Sequence, residues 1–142
     1  MEENILEAPP EFKINSLRSI NLATFLGGPL AAGYLVAGNF RKLGELRKFR
    51  ITWIITIFAT IAIFGILLFV PGVDKVPNYV FPLLYVAVIT YLAKRFQGEA
   101  IKSHAENGGA FFSVWRGVLA GVLAGVITLA LVFGLLYVLG AG

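Results

Sequence analysis

The sequence predicts an all-α integral membrane protein with four transmembrane helices arranged as two antiparallel hairpins. Of its 142 residues, 58% are hydrophobic and only 14% are charged, whereas soluble domains carry about 25% charged residues. Residues 51–70 and 117–142 contain no Asp, Glu, Lys, Arg or His, and about 20 helical residues cover the roughly 30 Å apolar core of a bilayer. Four spans occupy nearly the whole chain, so we expect one membrane domain over residues 1–142.

The first span is predicted over residues 17–39, after an acidic external tail at residues 1–16. Ser16 carries the short, oxygen-bearing side chain that caps helix N-termini. The tail lacks the basic start of a signal peptide, so we expect no cleavable leader. A Gly-Gly-Pro sequence ending at Pro29 interrupts the span, and the missing proline N–H predicts a kink that membrane helices tolerate. A re-entrant loop is the alternative path.

The second and third spans are predicted over residues 51–70 and 78–96. The second ends at Pro71 and Gly72, a pair that cannot continue a helix. Because the connection to the third span is short, the two spans should be antiparallel neighbours.

Helical sequence continues past the third span over residues 97–106. Oppositely charged residues recur there at four-residue spacing, as in Lys102 and Glu106, which suits an exposed cytoplasmic extension. Asn107, followed by two glycines, predicts the end of that helix. The fourth span is predicted over residues 111–139.

The distribution of basic residues predicts the orientation. They cluster in the loop between spans one and two and in the segment between spans three and four. Only Lys13, Arg18 and Lys75 fall on the opposite side. Basic residues near short loops stay in the cytoplasm, so both loops should be cytoplasmic and both termini outside. We expect the membrane to be a bacterial cytoplasmic membrane.

Small residues at four-residue spacing predict close helix packing. Gly117, Gly121 and Gly125 form two overlapping GxxxG patterns on the fourth helix, and Gly27 and Ala31 form a similar stripe on the first. Removing side chains from one helix face lets another backbone approach closely. Internal packing against the other spans and contact with a second chain are both consistent with this pattern.

The first loop is basic enough to bind anionic lipid headgroups. The residues concerned are Arg41, Lys42, Arg47, Lys48 and Arg50. The lipid bilayer is therefore a predicted partner. Nucleic acid is not, because the basic residues flank hydrophobic segments and form no separate basic domain.

Catalysis is not predicted. The chain has no cysteine and a single histidine, His104, which we expect on the surface. A lone histidine with no acid placed to orient it supports neither a metal site nor a serine–histidine–acid triad. We expect no catalytic residue, metal ligand or cofactor.

These observations favour a non-enzymatic scaffold or accessory subunit that packs against itself or a larger membrane assembly. The alternative is a small homo-oligomeric channel or transporter whose path is lined by the glycine faces and by Thr52, Thr56 and Thr60. Every charge can lie outside the apolar core, which counts against proton-coupled export because such transporters keep an ionisable residue at membrane depth.

Overall fold

The computed structural model describes residues 10–140. In that part of the chain the structure consists of helices and short connections: α1 (Leu17–Lys42), α2 (Leu46–Phe69), a 3₁₀ turn (Val73–Lys75), α3 (Val80–Glu106) and α4 (Val114–Val138). By length and composition, α1, α2 and α4 could each cross a membrane. The second half of α3 is rich in charged and polar residues, so its composition alone does not mark it as a span.

Helix α1 folds back on itself at its middle. Gly28 has φ 68° and ψ −158°, far from helical values. The backbone N–H of Asn15, just before α1, donates to Oδ1 of Asn39, near its end, at 2.6 Å. In a straight helix, the 24 positions that separate these residues would hold them about 36 Å apart. The prediction that residues 17–39 run in one direction from end to end is therefore wrong, and the chain folds back as in the re-entrant alternative.

Local sequence explains where the reversal falls. Gly28 adopts a positive φ in a region that side-chain-bearing residues rarely enter. Pro29 follows at the first position of the returning helix, where its missing N–H leaves no helical bond unmade. The reversal divides α1 into arm A (residues 17–27) and arm B (residues 29–42), about 16 and 21 Å long. Each arm is shorter than the roughly 30 Å thickness of a bilayer core.

The hairpin is the centre of the bundle. Its buried residues Ile20, Ala23, Ala31 and Leu35 form the hydrophobic core together with Ala93 of α3 and Ala124 of α4. Helices α2, α3 and α4 each pack against α1, whereas within residues 10–140 they make no close backbone contact with one another. The predicted hairpin of α3 and α4 does not form, and α2 and α3 are not packed neighbours, because the folded α1 lies between them.

Pairs of contacting residues give the direction of each helix. Arm A runs parallel to α4, since Gly117 lies against Ser19 and Gly125 lies against Leu26. The segment before α1 follows the same direction, with Phe112 donating its backbone N–H to the carbonyl of Ile14 at 2.9 Å. Helix α2 starts at the end of the bundle where the hairpin begins and ends. Helix α3 returns to that end, and α4 starts from it again.

We call this end the basic end, because it holds the loop between α1 and α2 and the segment between α3 and α4. The N-terminal flank (residues 10–16) lies there, with Phe12 beside His104 and Asn15 bonded to Asn39. The expectation that the first tail lies opposite the basic loops is wrong for these residues. Residues 1–9 of the acidic tail lie outside the described part of the chain.

Ser16 caps α1 as predicted, its Oγ accepting from the backbone N–H of Ser19 at 3.2 Å. Helix α3 continues without a break to Glu106, where the sequence pattern ends, and Gly108 follows with φ 73°. The extension is not wholly exposed, because Ile101 and His104 are buried and His104 packs between Phe12 of the flank and Phe111 before α4.

Candidate functional site

Three buried amide side chains form hydrogen bonds that join the N-terminal flank, arm B and α3 at the basic end. Asn39 accepts from the backbone N–H of Asn15 and donates from Nδ2 to the Asn15 carbonyl at 2.9 Å and to Oε1 of Gln97 at 3.2 Å. Gln97 donates in turn to the carbonyl of Val36 at 2.8 Å, and Asn15 donates to the carbonyl of Leu35 at 3.2 Å. Asn39 and Gln97 are fully buried and Asn15 is 4% exposed. We call these three residues the amide cluster.

The amide cluster joins parts that are distant in sequence. It connects the start of arm A to the end of arm B and both to α3, so it fixes the two ends of the hairpin side by side. Replacing one of the three side chains would leave buried hydrogen-bond donors and acceptors unpaired. Each unpaired group lowers the free energy of unfolding by about 1–3 kcal/mol. Sequence analysis did not identify these residues. One feature of the sequence could have pointed to Gln97. It lies four residues after Ala93 and four before Ile101, so it continues the buried face of α3.

His104 lies inside this end of the bundle, so the expectation of a solvated surface histidine is wrong. It is 4% exposed, and its Nε2 lies 2.7 Å from the carbonyl oxygen of Ala110. The ring packs between Phe12 and Phe111, each with its centroid 5.2 Å away. Because a carbonyl only accepts, Nε2 donates and holds the segment after α3 against the flank. Within residues 10–140 no group of metal-ligating side chains surrounds it.

Four of the five predicted small-residue positions lie in the contact between arm A and α4, and Ala31 lies in arm B. A Cβ at Gly117 would come within 2.9 Å of the Ser19 carbonyl, and one at Gly121 within 3.0 Å of the Cα of Ala23. Gly125 lies against the Leu26 carbonyl, and Gly27 meets the Gly121 backbone from the opposite side. Ala31, the fifth predicted residue, is buried in the core beside the hairpin arms. This glycine contact is internal to the chain.

A second close contact was not predicted. Gly33 of arm B lies directly against the side chain of Thr56, the one buried residue of α2. Thr52 and Thr60 lie one turn to either side, and each donates its hydroxyl to its own helix, to the carbonyls of Lys48 and Thr56 at 2.7 Å. Those two hydroxyls are therefore satisfied without a solute or a partner chain.

The tip of the hairpin borders open space. A cavity of about 270 Å³ lies beside Gly28 and Pro29 and is also lined by the hydroxyl-bearing residues Thr60, Tyr85 and Thr128. A second cavity, of about 450 Å³, separates α2 from α4 in the halves of these helices that are far from the basic end, which we call the distal halves. Its wall is almost wholly apolar. Phe25 at the tip is 55% exposed. Beyond the tip, the distal halves of the helices therefore share no core.

The basic end concentrates the positive charge of the protein. The five predicted headgroup residues, Arg41, Lys42, Arg47, Lys48 and Arg50, are all exposed there. Lys13 and Arg18 lie at the same end because of the hairpin, which leaves Lys75 as the only lysine or arginine at the distal end. Lys48 forms an ion pair with Glu45, so part of this charge is already neutralised.

The geometry provides a helical hairpin at the centre of the bundle, a buried amide cluster and a cationic end. In the described residues it brings together no nucleophile, general base and orienting acid, and no metal-ligand set. A comparison with protein-family models, with curated proteins and with solved structures finds no match to this chain.

Proposed function

We propose that this chain is a non-enzymatic subunit of a membrane assembly in a bacterial cytoplasmic membrane. In this proposal α2, α3 and α4 each cross the bilayer, and α1 enters and leaves on the cytoplasmic side. The charge distribution supports that orientation, because the hairpin path leaves only Lys75 opposite eleven other basic residues. The N-terminal flank is then cytoplasmic and the C-terminal end of α4 is external.

The course of α3 supports its assignment as a crossing helix. Tyr85, near its start, borders the hairpin tip, and Gln97 bonds to the hairpin's base. It therefore covers the same depth as the apolar helices beside it. Its charged residues fall at and beyond the basic end, where they reach headgroups and water.

The subunit proposal rests mainly on one observation, which is that the distal halves of α2 and α4 do not pack on each other. Helix association in lipid depends on close packing, yet the distal halves of α2 and α4 are separated by the 450 Å³ cavity. Leu131, which lines it, is 67% exposed. We propose that another helix of the assembly packs on this distal face, supplied by a second copy or by a different subunit.

Cysteine cross-linking in native membranes tests this proposal, because the chain has no cysteine of its own. A photo-activatable label attached at Leu131→Cys should give a protein adduct larger than the 15.4 kDa chain. Val122→Cys, on the opposite face of the same helix, is the matched control and should label lipid. Labelling of lipid but of no protein by both variants would contradict the subunit proposal.

The second candidate is a small homo-oligomeric channel or transporter. The observation in its favour is the broken backbone at Gly28 beside Thr60, Tyr85 and Thr128, since irregular backbone at membrane depth often lines a solute path. The protein reconstituted in liposomes should then pass a small solute, and Thr128→Leu should reduce that flux. Flux no higher than in protein-free liposomes would exclude this candidate.

A further inference from the structure

An open groove on the side of the bundle combines an apolar wall with an arginine at one end. It has a volume of about 670 Å³ and lies between arm B, α2 and α4. Leu119, Leu123 and Ile127 line it from α4, and Arg116 stands at the end nearest the basic end. Trp53 and Tyr34, which suit the boundary between headgroups and acyl chains, line the other side.

Arg116 is held in place and its charge is unneutralised. Its guanidinium stacks on the ring of Phe112, 3.8 Å from the centroid, which reduces the side-chain freedom lost on binding a ligand. Arg50 lies one helical turn before Trp53, toward the same end of the groove. Neither arginine is within 4.0 Å of a carboxylate in the described part of the chain.

Two other apolar grooves lack this combination. The groove of about 370 Å³ between α2 and α3 has Lys48 at its rim, but Glu45 already forms an ion pair with that lysine. The distal cavity between α2 and α4 has no basic residue in its wall. Of these three grooves, the one beneath Arg116 combines an acyl-chain surface with guanidinium groups that no carboxylate of residues 10–140 pairs with.

We propose that this groove binds one anionic glycerophospholipid. An acyl chain lies along Leu119, Leu123 and Ile127, and the phosphate accepts two parallel hydrogen bonds from Arg116, with Arg50 adding positive charge. Arginine forms such bidentate pairs with phosphate, whereas lysine acts as a point charge. The proposal rests on the membrane insertion proposed above, but not on the presence of a partner subunit.

Native mass spectrometry of the purified protein in a neutral detergent tests the site. We expect one phosphatidylglycerol adduct to persist when a phosphatidylcholine of the same chain length is lost. Arg116→Gln should weaken phosphatidylglycerol binding by about tenfold, as expected for loss of charge-assisted hydrogen bonds. Arg95→Gln removes the same charge from α3, at the same end but away from the groove, and should leave binding within about twofold.

Filling the groove provides an independent test that leaves the charge unchanged. Leu123→Trp should abolish the retained lipid, whereas Val122→Trp, about 100° around α4 from Leu123 and outside the lining of the groove, should not. Equal retention of the two lipids by the parent, or equal losses in Arg116→Gln and Arg95→Gln, would overturn the site and leave only general attraction to a basic surface. Because lipid binding needs no partner, failure here is separable from failure of the Leu131→Cys cross-link.

Discussion

Replacing Gly121 by leucine tests whether the glycine contact holds the hairpin in place. A Cβ at this position would lie 3.0 Å from the Cα and carbonyl oxygen of Ala23 and from Cβ of Leu26. The first two are backbone atoms, so they cannot rotate aside. The rest of a leucine side chain would extend into arm A, which would have to move away from α4. Overpacking of this kind costs about 1–3 kcal/mol, and we expect the upper end, about 3 kcal/mol.

The assay is reversible unfolding in mixed micelles of a mild and a denaturing detergent, followed by tryptophan fluorescence. Gly134→Leu is the matched control, because Gly134 lies in the same helix and a Cβ there would meet nothing within 4 Å. Leucine also favours helix over glycine by up to about 1 kcal/mol, so the control should be neutral or slightly more stable than the parent. Equal unfolding free energies for the two variants would show that arm A does not pack on α4.

Three further predictions address the hairpin. Gly28→Ala should lower the unfolding free energy by about 1–3 kcal/mol because alanine resists the observed backbone angles, whereas Gly65→Ala, in an ordinary helical site with open space, should not lower it. Asn39→Leu should cost about 2–4 kcal/mol in the same assay, since it strands the groups of the amide cluster; a parent-like value would contradict that role. Cysteines at Glu11 and Ser103 should both be protected from an impermeant thiol reagent in intact cells, and opposite labelling would mean that α1 crosses the membrane.

Local patterns were sufficient to locate the helices. The uncharged segments correspond to α2 and α4, and the pattern after the third span correctly carries α3 to Glu106. Each of these boundaries depends on composition or on breakers such as Pro71, which act within one or two helical turns. For the same reason, the boundaries do not determine which helices pack together.

The fold-back at Gly28 could not be read from its local sequence. A Gly-Pro pair in an apolar segment is compatible with a kink, because neighbouring helices can satisfy the freed carbonyl. The two paths differ in long-range pairing, above all in the bonds between Asn15 and Asn39, which are 24 positions apart. Charge gave one indirect signal. Lys13 and Arg18 are exceptions to the charge asymmetry only if the first helix crosses, and the re-entrant path removes both exceptions.

The hairpin also determines which surfaces remain for a partner. Gly117, Gly121 and Gly125 lie against arm A, so this face cannot also bring two copies together unless the hairpin leaves it. The arms are about 16 and 21 Å long and end near the middle of the bundle, which leaves the distal halves of α2 and α4 without a packing partner. Association through the glycine face would require the core to open, whereas association through the distal face would add contacts and remove none. The distal face is therefore the surface on which we expect the assembly to form.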